Sequence, residues 1–328
     1  MTDYVVVGAG ALGQSFAGLL ARNAQSVTLL ATPRSEARLR ERGAIRLRGA
    51  VDVAVEVGDG GVRLTTAASD VPDGAVVLFT TKGQDLSAAI ESVRSAAGQR
   101  IAWAGGVQNG IVKDDLLADA FGAERVVGAV TILGANRQPD NSVQVGSLGA
   151  TYLGELDGRG SERVAHAAAT FQAAGIPTHP TQAIQSVLWS KACNATGVFG
   201  TTVLARASNN QLFSNPHLMR AYLALVRETV AVAKAYGVQV GDHAGFPPIR
   251  TYAERDEQAT IDQLEPNPNL GTQSYASMTQ DVLAGSPLEV DAVFGDIVQR
   301  ADRKAVPVPC LRLVRDVIRG IDPGHAVR

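Results

Sequence analysis

The sequence has 328 residues, enough for about two domains, and its apolar fraction of 45% and charged fraction of 19% are ordinary for a globular protein. The formal net charge of −2 gives no reason to expect a nucleic acid or a membrane surface as a partner. With only Cys193 and Cys310, and histidines that lack ligand spacing, we expect neither a disulfide framework nor a metal site. No signal-peptide pattern or membrane-spanning apolar run is present, so we expect a cytoplasmic protein.

The first predicted strand ends in a glycine motif. The apolar run of residues 4–7 leads into Gly8-Ala9-Gly10-Ala11-Leu12-Gly13, and a helical pattern starts directly afterwards. Gly8 permits a tight turn, Gly10 allows a pyrophosphate to lie against the backbone, and Gly13 allows the helix to pack close to the sheet. Because the motif follows a strand and opens a helix, we interpret it as a dinucleotide-binding turn. The alternative is a glycine-rich turn without a ligand.

The end of the second predicted strand, residues 26–30, bears on the cofactor. A carboxylate at this place would bind the ribose 2′-OH of NAD. Here Thr32, Arg34 and Ser35 follow the strand, and the first carboxylate is Glu36. We therefore predict NADP(H), with Thr32 and Arg34 as cofactor-binding residues. The alternative is that Arg34 is only a solvated charge.

The first part of the chain alternates strands and helices. Helices are predicted over residues 34–42, 86–97, 112–121 and 161–174, and strands over 74–81, 101–104, 125–131, 143–145 and 151–153. Residues 45–57 alternate in hydropathy and predict antiparallel strands added to the parallel core. Polar clusters at residues 80–84 and 105–110 follow two of the strands, where ligands bind in an open α/β sheet.

Strand signals disappear from about residue 183. Helices are predicted over residues 184–197, 216–236, 272–284, 287–303 and 311–319. The fold class is therefore α/β, with an N-terminal Rossmann-type dinucleotide-binding domain over 1–182 and an all-α domain over 183–328. The ligand site is expected in the cleft between the domains. The apolar helix over 216–236 forms either the core of the helical domain or the face of a homodimer, and we expect a homodimer.

Motifs from several separate segments resemble one known family. They are the opening Gly8-Ala9-Gly10-Ala11-Leu12-Gly13, then Thr81-Lys82, Gln108-Asn109-Gly110, Trp189-Ser190-Lys191, and Ser277-Met278-Thr279-Gln280-Asp281 with Glu289-Val290-Asp291. In this order they resemble the ketopantoate reductases (2-dehydropantoate 2-reductases), nearly end to end. The resemblance implies a helical domain like that of 6-phosphogluconate dehydrogenases. It also implies NADPH-dependent reduction of ketopantoate to pantoate, in pantothenate biosynthesis.

The resemblance implies site residues as well. Lys191 is similar to the catalytic lysine of the family, which gives a proton to the carbonyl oxygen that receives the hydride. Glu289 is the second predicted catalytic residue, and it is similar to the glutamate of the family that binds the substrate hydroxyl. The substrate-binding residues are expected to be Asn109, Asn194, Asn209, Ser277 and Lys82. The cofactor-binding residues are expected to be Gly8, Ala9, Gly10, Ala11, Leu12, Gly13, Thr32, Arg34, Thr81, Lys82, Asn109 and Glu289.

The chain departs from the family pattern beyond Lys191. Ala195 and Phe199 replace asparagines four and eight residues after the lysine, and Asn194 lies about 100° away from the usual direction on the helix. The loss of two polar contacts predicts a more apolar substrate pocket. One alternative function is therefore a reductase of the same family that acts on a bulkier or more apolar carbonyl. A second alternative, a sensor that binds NADP(H) without catalysis, would need neither Lys191 nor Glu289.

Overall fold

The computed structural model describes residues 2–264 and 274–324. The chain divides into two compact units. Unit 1 comprises Met1–Gln108 and Lys113–Gln185, and unit 2 comprises Asn109–Val112 and Ser186–Arg328. Within the described residues all strands belong to unit 1, and unit 2 contains helices and loops. This confirms the predicted fold class, an α/β domain followed by an all-α domain.

The strands of the described residues lie between residues 3 and 180. They are β1 (Asp3–Val7), β2 (Ser26–Leu30), β3 (Ala44–Gly49), β4 (Val53–Glu56), β5 (Val62–Thr65), β6 (Val76–Phe79), β7 (Trp103–Gly106), β8 (Val127–Thr131), β9 (Gly134–Arg137), β10 (Val143–Ser147), β11 (Thr151–Glu155) and β12 (Thr178–Pro180).

The α-helices continue to residue 321. They are α1 (Ala11–Arg22), α2 (Pro33–Arg42), α3 (Gly83–Ala97), α4 (Val112–Phe121), α5 (Glu162–Ala173), α6 (Ile184–Ala205), α7 (Asn209–Ser214), α8 (Pro216–Ala235), α9 (Ile249–Glu254), α10 (Glu257–Ile261), α11 (Ser277–Leu283), α12 (Asp296–Arg303) and α13 (Pro309–Ile321). No helix within residues 2–264 and 274–324 combines the length and the apolar character needed to cross a bilayer.

A five-stranded parallel sheet forms the centre of unit 1, in the order β5-β2-β1-β6-β7. Side chains of β1 alternate between two layers: Tyr4 and Val6 pack with α1 and α5, and Val5 and Val7 pack with α3 and α4. Burial on both faces explains the continuous apolar run of this strand. The strand order reverses between β1 and β6, and ligands bind at the carboxyl ends of strands beside such a point.

The alternating stretch over residues 45–57 forms a separate sheet, which corrects the prediction that it extends the parallel core. Its strands β3 and β4 pair antiparallel, as predicted, but they join β10 and β9 in the order β4-β3-β10-β9. The apolar face of these strands covers α1, because Ile45 and Leu47 pack against Gly18 of that helix. The strand beside β2 is instead β5, for which no strand was predicted.

A third sheet completes unit 1, in the order β12-β11-β8. Its β8 and β11 are antiparallel, and an isolated bridge between Ala104 and Val126 connects it to the parallel sheet. The predicted strand over residues 125–131 therefore meets the parallel sheet at this bridge and belongs, as β8, to the third sheet.

Unit 2 is built around α6 and α8. An added Cβ would lie 2.6 Å from the Tyr222 ring at Gly197, and 2.5 Å from Leu225 at Gly200, so these glycines allow the two helices to approach closely. They lie inside α6, which continues to Ala205 beyond the predicted end at residue 197. Helix α8 buries Met219, Tyr222, Leu223, Leu225 and Val226 within the chain, so it forms the core of unit 2. The predicted homodimer gains no support from this helix.

Two other predicted helices of unit 2 have different bounds. The one over 287–303 begins later, with a π-helical turn at Asp291–Gly295 that continues into α12. The N–H of Leu288 donates to Oδ1 of Asp322 at 3.1 Å instead of to a helical carbonyl. The predicted helix over 272–284 corresponds to α11 in its described part, and residues 272 and 273 lie outside the described residues.

Candidate active site

The glycine motif forms a turn suited to a pyrophosphate. Gly8 has a φ of +106°, which favours glycine, and an added Cβ there would lie 2.9 Å from the backbone nitrogen of Thr81. At Gly13 an added Cβ would lie 1.8 Å from the carbonyl oxygen of Gly8, so only glycine lets α1 pack this close. Apart from its chain neighbours and the backbone of its own helix, no described protein atom lies within 4 Å of a Cβ placed on Gly10. The turn is therefore closely packed at Gly8 and Gly13 and open at Gly10, where a ligand can approach the backbone.

The first turn of α1 leaves its N–H groups available to a ligand. Gly10 is the N-cap residue, and no side chain caps the helix there. The first N–H groups of such a helix and its dipole attract anions. Gln14 is buried and donates from Nε2 to the carbonyl oxygen of Ala9 at 3.0 Å, while its Oε1 has no protein partner. The residues present therefore fit a dinucleotide phosphate and a neighbouring hydrogen-bond donor.

The polar clusters after β6 and β7 lie beside this turn. The hydroxyl of Thr80 donates to the carbonyl oxygens of Val7 and Gly8, both at 2.9 Å. The amide of Gln108 lies 3.5 Å from the hydroxyl of Thr81. The structure therefore brings together the carboxyl ends of β1, β6 and β7, as the order of the strands implies. Lys82 is exposed and stands at the N-terminus of α3.

Helix α2 begins at the predicted cofactor residues. Thr32 caps it, because its Oγ1 accepts from the N–H of Ser35 at 3.3 Å. Arg34 is exposed on the first turn. Arg38 follows one turn later and lines a surface pocket with Ala9, Gln14, Ser35, Arg137 and Asn141.

Lys191 stands on α6 and is half-buried. The preceding residue, Ser190, is fully buried and exchanges two hydrogen bonds of 3.0 Å with the backbone of Gly241. These bonds fix the first half of the helix and so the place from which Lys191 projects. Cys193 packs in the core, where burial raises the pKa of its thiol, as expected of a packing residue.

The helix face of Lys191 is apolar beyond the lysine. Ala195 and Phe199 follow at four and eight residues, and both are buried. Asn194 is half-buried, and its Oδ1 accepts from the hydroxyl of Tyr222 at 3.0 Å. The asparagine amide is therefore held by α8.

Hydrogen bonds tie the predicted substrate residues Asn209 and Ser277 to one region of unit 2. The N–H of Asn209 donates to the carbonyl oxygen of Ser274 at 2.8 Å, three residues before Ser277. In addition, Thr202 of α6 and Thr279 of α11 share a buried hydrogen bond of 2.6 Å. The segment that carries Ser277 is therefore connected to α7 and to the helix of Lys191.

The loop that carries Asn109 contacts the turn that follows Glu289, and both belong to unit 2. Gly110 has a φ of +86°, and an added Cβ there would lie 2.1 Å from the carbonyl oxygen of Ala292. The loop of Asn109 therefore rests on the π-helical turn that follows Glu289. Such turns are frequent at functional sites.

The predicted residues thus fall into two sets. The glycine turn lies in unit 1 together with Thr32, Arg34, Thr81 and Lys82. The set in unit 2 comprises Asn109, Lys191, Asn194, Asn209, Ser277 and Glu289. Within the described chain, the phosphate-binding features and the catalytic candidates therefore belong to different units.

Comparison with known proteins identifies the family. The family model "Ketopantoate reductase PanE/ApbA" matches residues 4–158, and its C-terminal counterpart matches residues 183–322. The 2-dehydropantoate 2-reductase of Halobacterium salinarum is 30% identical over 322 residues, which cover 96% of this chain and 97% of that protein. The chain belongs to the ketopantoate reductase family. It is therefore a dinucleotide-dependent oxidoreductase that acts on CH–OH groups.

Other members and solved structures agree on the fold. The 2-dehydropantoate 2-reductase of Pyrococcus abyssi is 27% identical over 96% of both chains. A ketopantoate reductase from Ralstonia eutropha JMP134 superposes with a TM-score of 0.79, at 24% identity, over 99% of this chain and 100% of that one. A D-mandelate dehydrogenase with NADH and anilino(oxo)acetate superposes with a TM-score of 0.80 at 18% identity, over 99% and 100% of the two chains.

No role was predicted from the sequence for several residues that lie beside these predicted site residues. Gln14 follows the glycine motif directly, and Arg38 stands four residues after Arg34, so helix spacing could have indicated both. Tyr222 and Arg137 gave no signal, because the folded chain alone brings them to Asn194 and to Arg38.

Proposed function

We propose that the chain reduces a 2-oxo acid to a 2-hydroxy acid with NADPH, and that ketopantoate, the substrate that leads to pantothenate, is the first candidate. The observation that carries this proposal is the contact between Gly110 and Ala292, which joins the loop of Asn109 to the turn after Glu289. The same unit contains Lys191. We place the reaction in the cytoplasm, and the homodimer stays a prediction.

Lys191 is the proposed proton donor. Bound NADPH supplies the hydride that reduces the carbonyl carbon. Lys191 Nζ gives a proton to the carbonyl oxygen and offers positive charge while that oxygen becomes negative. A half-buried lysine suits this task, because a charge acts more strongly where water is partly excluded.

The other residues hold the substrate. Ser277 and Lys82 bind its carboxylate, and Glu289 accepts a hydrogen bond from its hydroxyl. Asn109 binds both substrate and cofactor, and Asn209 adds a substrate contact. These groups hold the carbonyl carbon in position to receive the hydride. Fixed positions and orientations of substrate and cofactor lower the entropic part of the barrier.

NADPH is preferred over NADH in this proposal, because no carboxylate stands between the end of β2 and Glu36. Thr32 and Arg34 lie at this place, at the start of α2. Neither residue carries a negative charge, whereas an aspartate or glutamate at this place would repel a phosphate.

Ala195 and Phe199 support a second candidate, a bulkier or more apolar 2-oxo acid. Both are buried on the helix face of Lys191 and offer no hydrogen bond through their side chains. A D-mandelate dehydrogenase shares the fold. An aromatic 2-oxo acid would gain from contact with a phenylalanine ring.

A steady-state comparison of kcat/KM tests the function. The substrates are ketopantoate and a series of bulkier 2-oxo acids, each followed by oxidation of NADPH. If ketopantoate gives the highest kcat/KM, the first candidate holds, and if an aromatic 2-oxo acid does, the second replaces it. The double variant Ala195→Asn/Phe199→Asn should shift preference toward ketopantoate, with Ala195→Ser as a matched control. Tight NADPH binding without turnover of any carbonyl would instead favour the sensor.

A further inference from the structure

A surface pocket of unit 1 carries two arginines beside the glycine turn. It is lined by Ala9, Gln14, Ser35, Arg38, Leu39, Arg137 and Asn141. Ala9 belongs to the turn, Ser35 and Arg38 to α2, and Arg137 to the end of β9. An adjoining surface pocket is lined again by Arg38, Arg137 and Asn141. The glycine turn, α2 and the end of β9 therefore meet at one pocket that carries two arginines.

The position of this pocket matches the ribose of a bound dinucleotide. The pyrophosphate of such a cofactor lies against the glycine turn, and the adenosine ribose reaches toward the end of the second strand. The pocket joins these two places, because it includes both Ala9 and Ser35. Gln14, whose buried Oε1 has no protein partner, lines it as well. A ribose hydroxyl would supply the missing donor.

The charges of the pocket suit an added phosphate. No aspartate or glutamate lines it among the described residues, and neither Arg38 nor Arg137 forms an ion pair in that part of the chain. The nearby Asp140 lies 3.6 Å from Arg42 and 3.8 Å from Arg48 instead. Hydrogen bonds from Ser142 hold the pKa of Asp140 below its ordinary value, so this carboxylate remains charged and engaged elsewhere.

The backbone segments that carry both arginines are held in place. The turn after β9 is closed by hydrogen bonds from Gln138 N–H to Ser142 at 2.8 Å and from Asn141 N–H to Gln138 at 2.9 Å. Arg38 precedes Leu39, the buried residue through which α2 packs on the core. Two guanidinium groups on fixed elements lose less freedom on binding than two on loose loops.

We propose that Arg38 and Arg137 bind the 2′-phosphate of NADP(H), with Ser35 as a further donor. Arg34 is exposed and does not line the pocket, so it adds only a screened charge. The proposal rests on the proposed use of NADPH and names the residues that select it. Arginine pairs with phosphate through two parallel hydrogen bonds, which gives geometric specificity as well as charge.

Binding of small nucleotides tests the assignment without catalysis. Isothermal titration of the full chain with 2′,5′-ADP and with 5′-AMP compares ligands that differ only in the 2′-phosphate. Arg38→Gln and Arg137→Gln should each weaken 2′,5′-ADP binding by about 10- to 100-fold and leave 5′-AMP binding within about twofold. Arg46→Gln, an exposed arginine of β3 outside the pocket, is the matched control and should change neither.

Further variants separate the competing outcomes. Arg34→Gln should weaken 2′,5′-ADP binding by less than about threefold, and Arg38→Lys should restore part of what Arg38→Gln loses. The melting temperature confirms that each variant folds. If the unmodified chain binds 5′-AMP as tightly as 2′,5′-ADP, or if only Arg34→Gln removes the difference, the assignment is wrong. The binding measurements do not depend on turnover. They therefore still test the phosphate site if the protein reduces no 2-oxo acid, and the proposed function and the proposed phosphate site can fail separately.

Discussion

The hydroxyl of Tyr222 donates a hydrogen bond to Oδ1 of Asn194 at 3.0 Å from a fully buried position on α8. Burial raises the pKa of Tyr222 well above its ordinary value, so the phenol keeps its proton and remains the donor. Because Oδ1 is occupied, the orientation of the amide is fixed and Nδ2 is the group of Asn194 that can donate to a substrate oxygen. Tyr222 of α8 thus fixes the amide of the predicted substrate residue Asn194 on α6.

Tyr222→Phe should raise the KM for the preferred 2-oxo acid by about 3- to 10-fold and change kcat less, because the amide of Asn194 loses its fixed orientation. The loss of stability should be about 1 kcal/mol. Steady-state kinetics and urea unfolding measure both. Tyr252→Phe is the matched control, since Tyr252 meets the Tyr222 ring edge-on. An unchanged KM in Tyr222→Phe would remove Asn194 from the substrate site.

Two buried threonine pairs on α6 provide an internal comparison. Thr202 bonds to Thr279 at 2.6 Å, two residues after Ser277, and Thr196 bonds to Thr229 of α8 at 2.8 Å. Thr202→Val and Thr196→Val should each reduce the free energy of unfolding by about 1–3 kcal/mol, because a buried partner loses its hydrogen bond.

The two variants should differ in kinetics. Thr202→Val should raise KM for the 2-oxo acid several-fold, because the segment of Ser277 loses its connection to α6, whereas Thr196→Val should leave KM unchanged. Thr202→Ser should restore the original KM, since the hydroxyl returns. Equal kinetics in Thr202→Val and Thr196→Val would show that the first pair serves stability alone.

Acid should weaken unit 1 through Glu155. This buried carboxylate accepts two hydrogen bonds from Arg163, at 2.7 Å and 2.6 Å. Burial alone would raise the pKa of Glu155, but the bonds from Arg163 and Ser161 outweigh it and hold that pKa below its ordinary value. The stabilisation is therefore complete above the unfolded-state pKa, about 4.3, and is lost as the pH falls through the lower folded-state pKa.

Glu155→Gln should lower the free energy of unfolding by about 1.5–3 kcal/mol at neutral pH. The difference from the unmodified chain should shrink below about pH 4, where the carboxylate takes up a proton. Urea unfolding at a series of pH values measures this, with Glu162→Gln, in the first turn of α5, as the control. If both variants lose the same free energy of unfolding, the bonds between Glu155 and Arg163 contribute nothing specific to stability.

Local patterns predicted the parts of the fold that depend on neighbours in sequence. The strand–turn–helix around Gly8 and the alternation of strands and helices are of this kind, because spacing and glycine geometry determine them. The second sheet was misplaced because alternation shows that one face of β3 is buried, but not that α1 is the element that covers it. The predicted end of α6 at residue 197 was too early for a similar reason, since the spacing of residues does not show that Gly197 and Gly200 pack against α8.

The candidate site likewise combines residues that local motifs predicted with residues that only the folded chain brings together. Family motifs indicated Lys191, Glu289 and Asn109 at positions that the structure places in one unit. Tyr222, which bonds to Asn194, and Thr279, which bonds to Thr202, come from distant segments and have no local signature. Arg137 is a further case, because only the pairing of β9 with β10 builds the turn that carries it beside Asn141.

Proton donation by Lys191 is the central claim, and the single-turnover rate of NADPH oxidation in Lys191→Met tests it most directly. Methionine keeps most of the length of the side chain and removes the ammonium group that gives the proton. The rate with the preferred 2-oxo acid should fall by about 10²- to 10⁴-fold, while the Kd for NADPH, measured by fluorescence, should stay within about twofold. A variant that binds NADPH normally and reduces the substrate at close to the original rate would contradict the assignment of Lys191.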